Sequence, residues 1–498
     1  MNRDQMMDRL RDERSSWDVL VIGGGATGLG CALDAASRGL KTALVERGDF
    51  AHGTSSRSTK LAHGGVRYLR AGQFALVAQS LRERERLSHN AAGLVRRMAF
   101  VVPAYRAYEK AWYGAGLTLY GVLAPSSGAT HIMSRDAVGA RLPALRQEGL
   151  RGGVLYHDGQ FDDARLALAL AHTAAGHGAA LANYVSVEGL VRSASRVAGV
   201  VATDLESGVT MEIRARVVIN AAGTGVDAVR RLDDAGAPPM MRASRGTHIV
   251  LDRRFSPGDT ALMIPRTDDG RVLFVIPWRG RLLVGTTDTA APDIVDDPAP
   301  TREDVAFLIE HAARYLATAP ATGDVRSAFA GLRPLLEGTG ATASLRRDHR
   351  VVVSRAGLVT IAGGKWTTFR LMAEQAVDRA CAAAAMVAPP CRTADLALEP
   401  SPWGGGNDPL ESRVLGATVG DDAIVAFTRD AARRDMARTV EDVLARRSRA
   451  LLLDARGAAA LAHAVAEALA AELRRDEMWV TAQTRDFAGI AGRHLPPA

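Results

Sequence analysis

The feature that most constrains the fold is a glycine-rich turn between two apolar runs near the start of the chain. The first run, 19–22, leads into Gly23-Gly24-Gly25-Ala26-Thr27-Gly28, and the second run, 41–45, ends at Glu46. In a βαβ unit such glycines permit a tight turn, bring the backbone close to a pyrophosphate at a helix N-terminus and let the helix pack on the sheet. An acid at this distance can accept ribose hydroxyls. The pattern predicts a dinucleotide-binding fold.

The segment that follows Glu46 distinguishes between the common dinucleotides. Residues 49–69 are dense in hydroxyls and glycines. An NAD fold normally proceeds to its next βα unit at this point. An FAD fold instead uses small polar residues to bind the pyrophosphate and ribityl oxygens and to bring the chain against the isoalloxazine. The segment therefore favours FAD over a nicotinamide cofactor.

Length and composition limit the classes of protein. With 498 residues and 47% hydrophobic content, the chain is expected to form two or three globular domains. The sequence contains no apolar run of the roughly 18 residues that a membrane-spanning helix needs. The N-terminal residues carry charges of both signs without an apolar core, unlike a secretory signal. Residues 111–125 are apolar and aromatic but too short to span, so they are a candidate for lying in a membrane interface.

The cysteines and charges bear on compartment and partners. Three cysteines without a C-x-x-C pair, and histidines without H-E-x-x-H, predict a reducing cytoplasm and no metal site. The formal net charge of +7 admits an anionic substrate, anionic lipid or nucleic acid. Because the basic residues are scattered among acids, no nucleic-acid partner is predicted. Among the 62 basic residues, the lysines are Lys41, Lys60, Lys110 and Lys365.

Two kinds of segment alternate along the chain. Within 236–344, alternating apolar stretches separated by glycine and proline predict antiparallel strands. The predicted fold class is α/β, with a Rossmann-like FAD-binding domain, an antiparallel-sheet substrate domain and a C-terminal helical domain. We assign 15–97, 152–235 and 345–395 to a discontinuous FAD-binding domain, 98–151 and 236–344 to the substrate or cap domain, and 396–498 to the helical domain.

Several long motifs give the chain a family resemblance. Besides the glycine turn, the motifs are 49–69, 151–165, 246–250, 275–278, 285–289, 331–334 and 362–370. By these motifs the chain resembles the FAD-dependent glycerol-3-phosphate dehydrogenases, which belong to the glycine/D-amino-acid oxidase structural superfamily. Segment 437–447 also resembles the helical cap of that family. The resemblance covers most of the chain. It departs from the family pattern at Gly225 and Val226, where a proline and an aromatic are usual.

The resemblance implies an activity and its partners. The implied reaction is oxidation of sn-glycerol 3-phosphate to dihydroxyacetone phosphate by hydride transfer to N5 of noncovalent FAD, with electrons passed to a membrane quinone. The implied location is cytoplasmic, peripheral on the cytoplasmic face of the inner membrane, with an anionic lipid surface and a homodimer as further partners. The alternatives are an oxygen-using glycerol-3-phosphate oxidase, an amine or amino-acid oxidase of the same fold and, more distantly, a non-catalytic or nucleic-acid-associated flavoprotein.

The cofactor-binding residues expected from the motifs lie on the glycine turn, the acid, the hydroxyl-rich segment and two later glycine turns. They are Gly23, Gly25, Ala26, Thr27, Gly28, Glu46, Arg47, Thr54, Ser55, Ser56, Arg57, Ser58, Lys60, Leu61, His63, Gly64, Gly65, Ala222, Gly223, Gly363, Gly364, Lys365 and Thr367.

The resemblance also indicates the substrate site. The substrate-binding residues expected from it are Arg67, Tyr68, His248, Arg333, Arg347 and Lys365, and His248, Arg333 and Lys365 are the catalytic candidates. His248 is expected to accept the hydroxyl proton, since imidazole can be neutral near pH 7; a core histidine is the alternative. Arg333 is expected to bind phosphate or polarise the developing ketone, unless it lies on the surface. Lys365 offers a compact ammonium group.

The adjacent acids Asp162 and Asp163 invite a general acid–base interpretation. They follow Phe161 and precede an apolar stretch that is predicted to be a helix. Side chains of this type cap helices, and their charge is favourable at the positive helix end. We therefore expect a helix N-cap here and no catalytic pair.

Overall fold

The computed structural model describes residues 1–12, 14, 16–65, 72–123, 128–338, 348–399 and 408–497. Its strands are β1 (Trp17–Ile22), β2 (Thr42–Val45), β3 (Leu61–Ala62), β4 (Val95–Ala104), β5 (His131–Met133), β6 (Gly152–Phe161), β7 (Ala180–Ala182), β8 (Val185–Ser193), β9 (Arg196–Asp204), β10 (Thr210–Asn220), β11 (Met241–Asp252), β12 (Ala261–Ile264), β13 (Leu273–Trp278), β14 (Arg281–Gly285), β15 (Thr289–Ala291), β16 (Ser327–Leu336), β17 (His349–Val353) and β18 (Val359–Gly363).

The α-helices of the described residues are Arg3–Arg11, Ala26–Ser37, Phe74–Asn90, Glu109–Val122, Arg135–Arg141, Asp163–Gly176, Val226–Asp233, Arg302–Ala313, Phe369–Ala383, Pro409–Val414, Asp421–Asp435, Ala450–Leu453, Ala455–Leu473 and Glu477–Arg493. A π-helical turn covers Asp442–Arg447. None of the helices in the described ranges is long and apolar enough to cross a membrane.

The first sheet contains the dinucleotide unit. Its path is β17-β18-β10-β1-β2-β7, and the hairpin β8–β9 extends it through β9 and β10. The pairs from β18 to β7 are parallel, which explains why β1 is a nearly continuous apolar run: parallel strands are covered on both faces. The Ala26–Ser37 helix packs between the Asp163–Gly176 and Phe369–Ala383 helices.

The second sheet is mostly antiparallel and forms the wall opposite the dinucleotide unit. Its path is β15-β11-β14-β13-β12-β4-β6-β3, with β16 paired to β11 and β5 paired to β6. The long pairs β11–β16 and β4–β6 form its two halves, and the parallel pair β12–β4 joins them. Residues that are far apart in sequence therefore meet on one surface.

The C-terminal helices are joined to the dinucleotide unit by buried ion pairs. Asp49, which follows β2, accepts hydrogen bonds from Arg446 and Arg447 of the π-helical turn. Burial alone would raise the pKa of Asp49, but the guanidinium groups of Arg447 and Arg446 lower it below its usual range. The segment that follows Glu46 is thus held by the π-helical turn of the C-terminal region.

The structure confirms the predicted fold class, with two sheets and a helical C-terminal region. Asp162 is an N-cap, as expected, because its side chain accepts a hydrogen bond from the Arg165 amide. The predicted antiparallel strands within 236–344 are β11 to β16. Strand β6, in the segment assigned to the FAD-binding domain, pairs in the second sheet. The exact domain boundaries stay a prediction.

Candidate active site

The glycine turn after β1 is closed by contacts that leave no room for side chains. Gly23 has φ of 111°, a conformation suited to glycine, and a Cβ there would lie 2.6 Å from the Ala221 carbonyl oxygen. A Cβ on Gly28 would lie 1.9 Å from the Gly23 carbonyl oxygen. Gly28 therefore acts by allowing the helix to approach the turn. The N-cap of that helix is Gly25, which has no side chain to shield the helix N-terminus.

Glu46 fixes the turn from the side. Its two carboxylate oxygens accept hydrogen bonds from the amides of Gly24, at 2.5 Å, and Gly48, at 2.8 Å. Ser55 contributes a further contact, since its hydroxyl accepts a hydrogen bond from the Ala26 amide at 2.9 Å. The acid and the hydroxyl-rich segment predicted from the sequence are both assembled at the helix N-terminus.

A cleft of about 1080 Å³, here called the larger cleft, opens in front of this turn. Such a volume lies just above the range of about 300 to 1,000 Å³ that is typical of small-molecule and cofactor sites. The predicted cofactor residues that line it are Gly23, Gly25, Ala26, Thr27, Glu46, Arg47, Thr54, Ser55, Arg57, Ala222, Gly223, Gly363, Gly364 and Lys365. An extended dinucleotide fits this lining, because the glycine turn and helix N-terminus suit a pyrophosphate and the two later glycine turns lie in the same cleft.

Other predicted cofactor residues are directed elsewhere. Lys60 is fully buried, and its ammonium group donates to Asp163 at 2.6 Å and to the Ser56 carbonyl at 2.7 Å. Ser58 also donates to Asp163. Thr367 donates to the His63 carbonyl at 3.3 Å, which connects the segment after β3 to the turn after β18. These residues support the walls of the site.

A second cavity of about 130 Å³, here called the smaller cavity, lies beside β16. It is lined by Thr59, Leu61, His63, Gly65, Phe100, Tyr156, Asp158, Met263, Arg271, Val272, Phe274, Thr286, Thr287, Asp288 and Arg333. Leu332 and Pro334 of β16 line the larger cleft, whereas Arg333 between them lines the smaller cavity. Successive strand side chains point to opposite faces, so one strand contributes to both spaces.

The Arg333 guanidinium is held in a fixed orientation. It donates to the Thr286 hydroxyl at 2.7 Å and the Thr287 carbonyl at 2.8 Å, and it lies 3.6 Å from the Asp288 carboxylate. A Cβ on Gly246 would lie 2.1 Å from its Nη2 atom, so the glycine makes room for it. Arg333 is mostly buried, with 15% of its side chain exposed, and is therefore not a surface arginine.

His248 lies behind the wall of the smaller cavity. It is 2% exposed, stacks on Phe329, and its Nε2 is 2.9 Å from the Thr59 hydroxyl, which does line the cavity. Burial, with the nearby charges of Arg333 and Lys60, lowers the pKa of His248 well below 6.5. The imidazole is consequently neutral at pH 7 and contacts the cavity through Thr59.

Some predicted residues cannot be placed, and the structure adds others. Arg67, Tyr68 and Arg347 lie outside the described residues. Sequence reasoning missed Arg271 and Asp158, which line the smaller cavity. Arg271 lies two residues before β13 and four before the 275–278 motif, and Asp158 lies within the 151–165 motif, so each was near a recognised signal.

A connection between β15 and the Arg302–Ala313 helix borders the larger cleft. In this segment, 292–298, which we call the strap, residues Ile294, Val295, Asp296 and Pro298 line the cleft. Asp297 binds Arg57 of the hydroxyl-rich segment and Arg493 of the last helix, each at 2.7 Å. Burial alone would raise the pKa of Asp297, but Arg57 and Arg493 lower it to about 2.

Comparison with known proteins agrees with this geometry. Residues 18–379 match the model of the family described as DAO, FAD dependent oxidoreductase, and the chain belongs to that family. It is an FAD-dependent oxidoreductase. Among its curated relatives, the mitochondrial glycerol-3-phosphate dehydrogenase of Mesocricetus auratus is 43% identical over 79% of this chain and 56% of its own length. The corresponding protein of Saccharomyces cerevisiae is 37% identical over 80% of this chain and 68% of its own length.

Solved structures of flavoproteins also superpose on this chain. The glycerol-3-phosphate dehydrogenase of Bacillus halodurans, complexed with FAD, superposes with a TM-score of 0.81 at 28% identity and covers 99% of this chain and 98% of its own. An L-alpha-glycerophosphate oxidase from Mycoplasma pneumoniae has a TM-score of 0.57 at 17% identity and shares the fold. The chain spans about three fifths of the length of the first curated relatives. The family resemblance inferred from the sequence motifs is confirmed.

The strap leads to a test of cofactor retention. Asp297→Asn removes the charge that binds Arg57 and Arg493, and we expect the dissociation constant of FAD to rise about tenfold, near the lower end of the roughly 1.5 to 3 kcal/mol of hydrogen bonds to charged groups. Fluorescence titration of apoprotein with FAD measures the dissociation constant. Because the folded pKa of Asp297 lies near 2, below the unfolded value near 3.9, the same ion pairs also stabilise the fold; this contribution to the free energy of unfolding is complete above about pH 4 and disappears toward pH 2.

The control is Asp293→Asn, which removes an exposed acid from the same strap. Equal FAD affinity in the Asp297→Asn variant, the Asp293→Asn variant and the wild type would show that the strap does not retain the cofactor.

Proposed function

We propose that the protein oxidises sn-glycerol 3-phosphate to dihydroxyacetone phosphate and passes the electrons to a membrane quinone. The observation that carries this proposal is the pair of arginines, Arg333 and Arg271, on the wall of the smaller cavity. This wall also includes part of the hydroxyl-rich segment after β2, here called the FAD-side segment, of which residues 49–65 are described. A phosphate ester of a three-carbon polyol needs such anchors. The names of the relatives support the same substrate.

Arg333 and Arg271 would hold the phosphate. Arginine presents a planar fork that matches phosphate oxygens. Arg271 is largely buried, it donates to Asp269 at 2.7 Å, and its Nη1 has no hydrogen-bond partner among the described residues. This environment favours an anionic ligand, since a buried donor without an acceptor raises the free energy of the protein.

Thr59 and His248 would take the proton from the substrate hydroxyl. The Thr59 hydroxyl stands between the cavity and the His248 Nε2, so it can accept a hydrogen bond from the substrate while donating to the imidazole. His248 is in its basic form at neutral pH because its pKa is lowered. The packing of His248 is tight: a Cβ on Gly285 would lie 2.2 Å from its Cδ2. The ring position is therefore fixed relative to Thr59.

Bound FAD would supply the hydride acceptor, flavin N5. The residues of this chain would hold it noncovalently through the glycine turn, Glu46 and the two later glycine turns that line the larger cleft. Lys365 lines the same cleft beside Gly363 and Gly364, where its ammonium group would stabilise negative charge on bound FAD or on the substrate.

A peripheral position on a membrane would give access to the quinone. The Glu109–Val122 helix exposes Trp112 at 65%, Leu119 at 43% and Val122 at 68%, and neighbouring Ile132 is 63% exposed. Exposed apolar side chains of this kind insert into the headgroup region of a bilayer, and nearby basic residues favour anionic lipid. We propose the cytoplasmic face of the inner membrane as the location. A homodimer stays a prediction.

The phosphate anchor is tested by Arg333→Ala. Removing its fork should raise KM for glycerol 3-phosphate and lower kcat/KM at least tenfold, since hydrogen bonds to a charged group contribute about 1.5 to 3 kcal/mol. FAD content should not change, because Arg333 faces the smaller cavity. Steady-state kinetics with an artificial electron acceptor measures the effect.

Arg326→Ala, which removes a half-exposed arginine immediately before the same strand, is the matched control. If the Arg333→Ala enzyme had the KM of the control, the phosphate would have to bind elsewhere.

Membrane attachment is tested with the double variant Trp112→Ala, Leu119→Ala. The wild type should sediment with anionic liposomes. The variant should bind at least tenfold more weakly, since each large side chain contributes about 1.5 to 3 kcal/mol when buried. Leu205→Ala, which removes an exposed leucine elsewhere, is the control. Absence of sedimentation of the wild type, or equal binding of both variants, would contradict attachment through this helix.

A further inference from the structure

One buried hydroxyl connects the Glu109–Val122 helix to the wall of the smaller cavity. Tyr120 is 1% exposed. Its hydroxyl accepts a hydrogen bond from the Gly64 amide at 2.7 Å and donates to the Asp158 carboxylate at 2.8 Å. Both hydrogen-bonding capacities are therefore used, and they join the segment after β3 to strand β6. The mechanism described above assigns no task to this group.

One narrow face of this helix is buried against the second sheet. Its buried residues are Gly114, Leu117 and Tyr120, which recur at three-residue intervals and form one narrow face. Gly114 carries no side chain and Leu117 makes apolar contacts. Tyr120 is thus the member of this face that can form a directed polar contact with the cavity wall.

Asp158 places a negative charge on the wall where we expect a phosphate dianion to bind. Its carboxylate is 5% exposed, Arg84 donates to Oδ1 at 2.7 Å, and the Gly159 amide donates to the same oxygen at 3.2 Å. Oδ2 receives the Tyr120 hydroxyl. Burial, and then the charge of Asp158, raise the pKa of Tyr120 well above 10, so the hydroxyl stays protonated and remains a donor.

Gly64 places the second contact. A Cβ on Gly64 would lie 2.8 Å from the Tyr120 hydroxyl oxygen, so the backbone and the phenol can meet because the residue is glycine. Its neighbours His63 and Gly65 line the smaller cavity. Fixing the Gly64 amide therefore fixes the backbone of the cavity wall on the FAD side.

We propose that Tyr120 is a positioning residue for the oxidation, whose hydroxyl holds the Asp158 carboxylate and the Gly64 amide in the arrangement that lets the smaller cavity bind a phosphate ester. This inference rests on the proposed function, in which Arg333 and Arg271 anchor the phosphate. Without the hydroxyl, the Asp158 carboxylate keeps its ion pair with Arg84, but Oδ2 loses its hydrogen-bond donor and presents its negative potential to the phosphate. The Gly64 amide also loses its acceptor.

The test is Tyr120→Phe, which keeps the ring and removes the hydroxyl. We expect KM for glycerol 3-phosphate and the dissociation constant of inorganic phosphate, measured by calorimetry on the FAD-loaded protein, both to rise about tenfold. The kcat should change less than threefold, and FAD content should stay at the wild-type level. Tyr108→Phe, which alters an exposed tyrosine at the N-terminus of the same helix, should match the wild type.

Two results would overturn the inference. A folded Tyr120→Phe protein with wild-type KM and phosphate affinity would show that the hydroxyl positions nothing. A lower melting temperature and lower kcat with unchanged KM would show a purely structural role.

Asp158→Asn provides a second variant that does not depend on the stability of Tyr120→Phe. With the charge removed, phosphate should bind as tightly as in the wild type or more tightly, and adding Tyr120→Phe should cost less than threefold. This non-additivity is the signature of residues that act together. A tenfold loss of phosphate affinity in Asp158→Asn would contradict the inference that Tyr120 acts by limiting the negative potential of the Asp158 carboxylate.

Arg333→Ala separates this inference from the proposed function. If Arg333→Ala binds inorganic phosphate as well as the wild type does, the phosphate anchor fails, and the role proposed for Tyr120 fails with it. If Arg333→Ala weakens phosphate binding and Tyr120→Phe does not, the proposed function survives and this inference alone is wrong.

Discussion

The buried carboxylate of Asp163 joins the three parts of the chain that form the site. It is 0% exposed and binds the Lys60 ammonium at 2.6 Å, the Ser58 hydroxyl at 2.7 Å and the Arg449 guanidinium at 3.0 Å. Lys60 and Ser58 belong to the FAD-side segment, Asp163 begins a helix of the dinucleotide unit, and Arg449 precedes the Ala450–Leu453 helix. Burial, opposed by Asp163, lowers the pKa of Lys60 to about 8. Removing one partner of such a buried pair typically costs about 3 to 5 kcal/mol, so the position of the FAD-side segment depends on this interaction.

The larger cleft and the smaller cavity lie on either side of β16, next to the segment that Asp163 holds. The glycine turn and its acid open the larger cleft, and the antiparallel sheet closes the smaller cavity with Arg333 and Arg271 on its wall. Thr59 comes from the same segment that Asp163 holds, so the group that contacts His248 is positioned by the junction of the three parts. The fold thereby places the Arg333 and Arg271 guanidinium groups, the neutral His248 imidazole and the larger cleft around one junction.

The features that the sequence predicted correctly are those that depend on interactions between residues close together in the chain. The glycine turn, Glu46 and the Asp162 cap lie where their spacing predicts, because each depends on neighbours within one βαβ unit or one helix turn. Lys60 stood out in the sequence as a rare lysine and was predicted to bind the cofactor. The structure pairs it with Asp163, a partner that is distant in sequence. Periodicity and motif spacing carry no information about such contacts.

The residues that sequence reasoning missed are those whose role depends on pairing between distant segments. Tyr120 and Asp158 meet through a helix packed on β6, and Arg271 enters the cavity through the pairing of β12 and β13. The resemblance identified the class of site, whereas the donors and acceptors around it required the folded chain.

The central claim is that the protein oxidises glycerol 3-phosphate with FAD bound at this junction. The most direct measurement is the visible absorbance of the purified holoprotein, in the absence of oxygen, after one substrate is added. The account predicts that sn-glycerol 3-phosphate bleaches the flavin and that glycerol, which lacks the phosphate, does not. Retention of the oxidised spectrum with glycerol 3-phosphate, or bleaching by an amino acid instead, would contradict it.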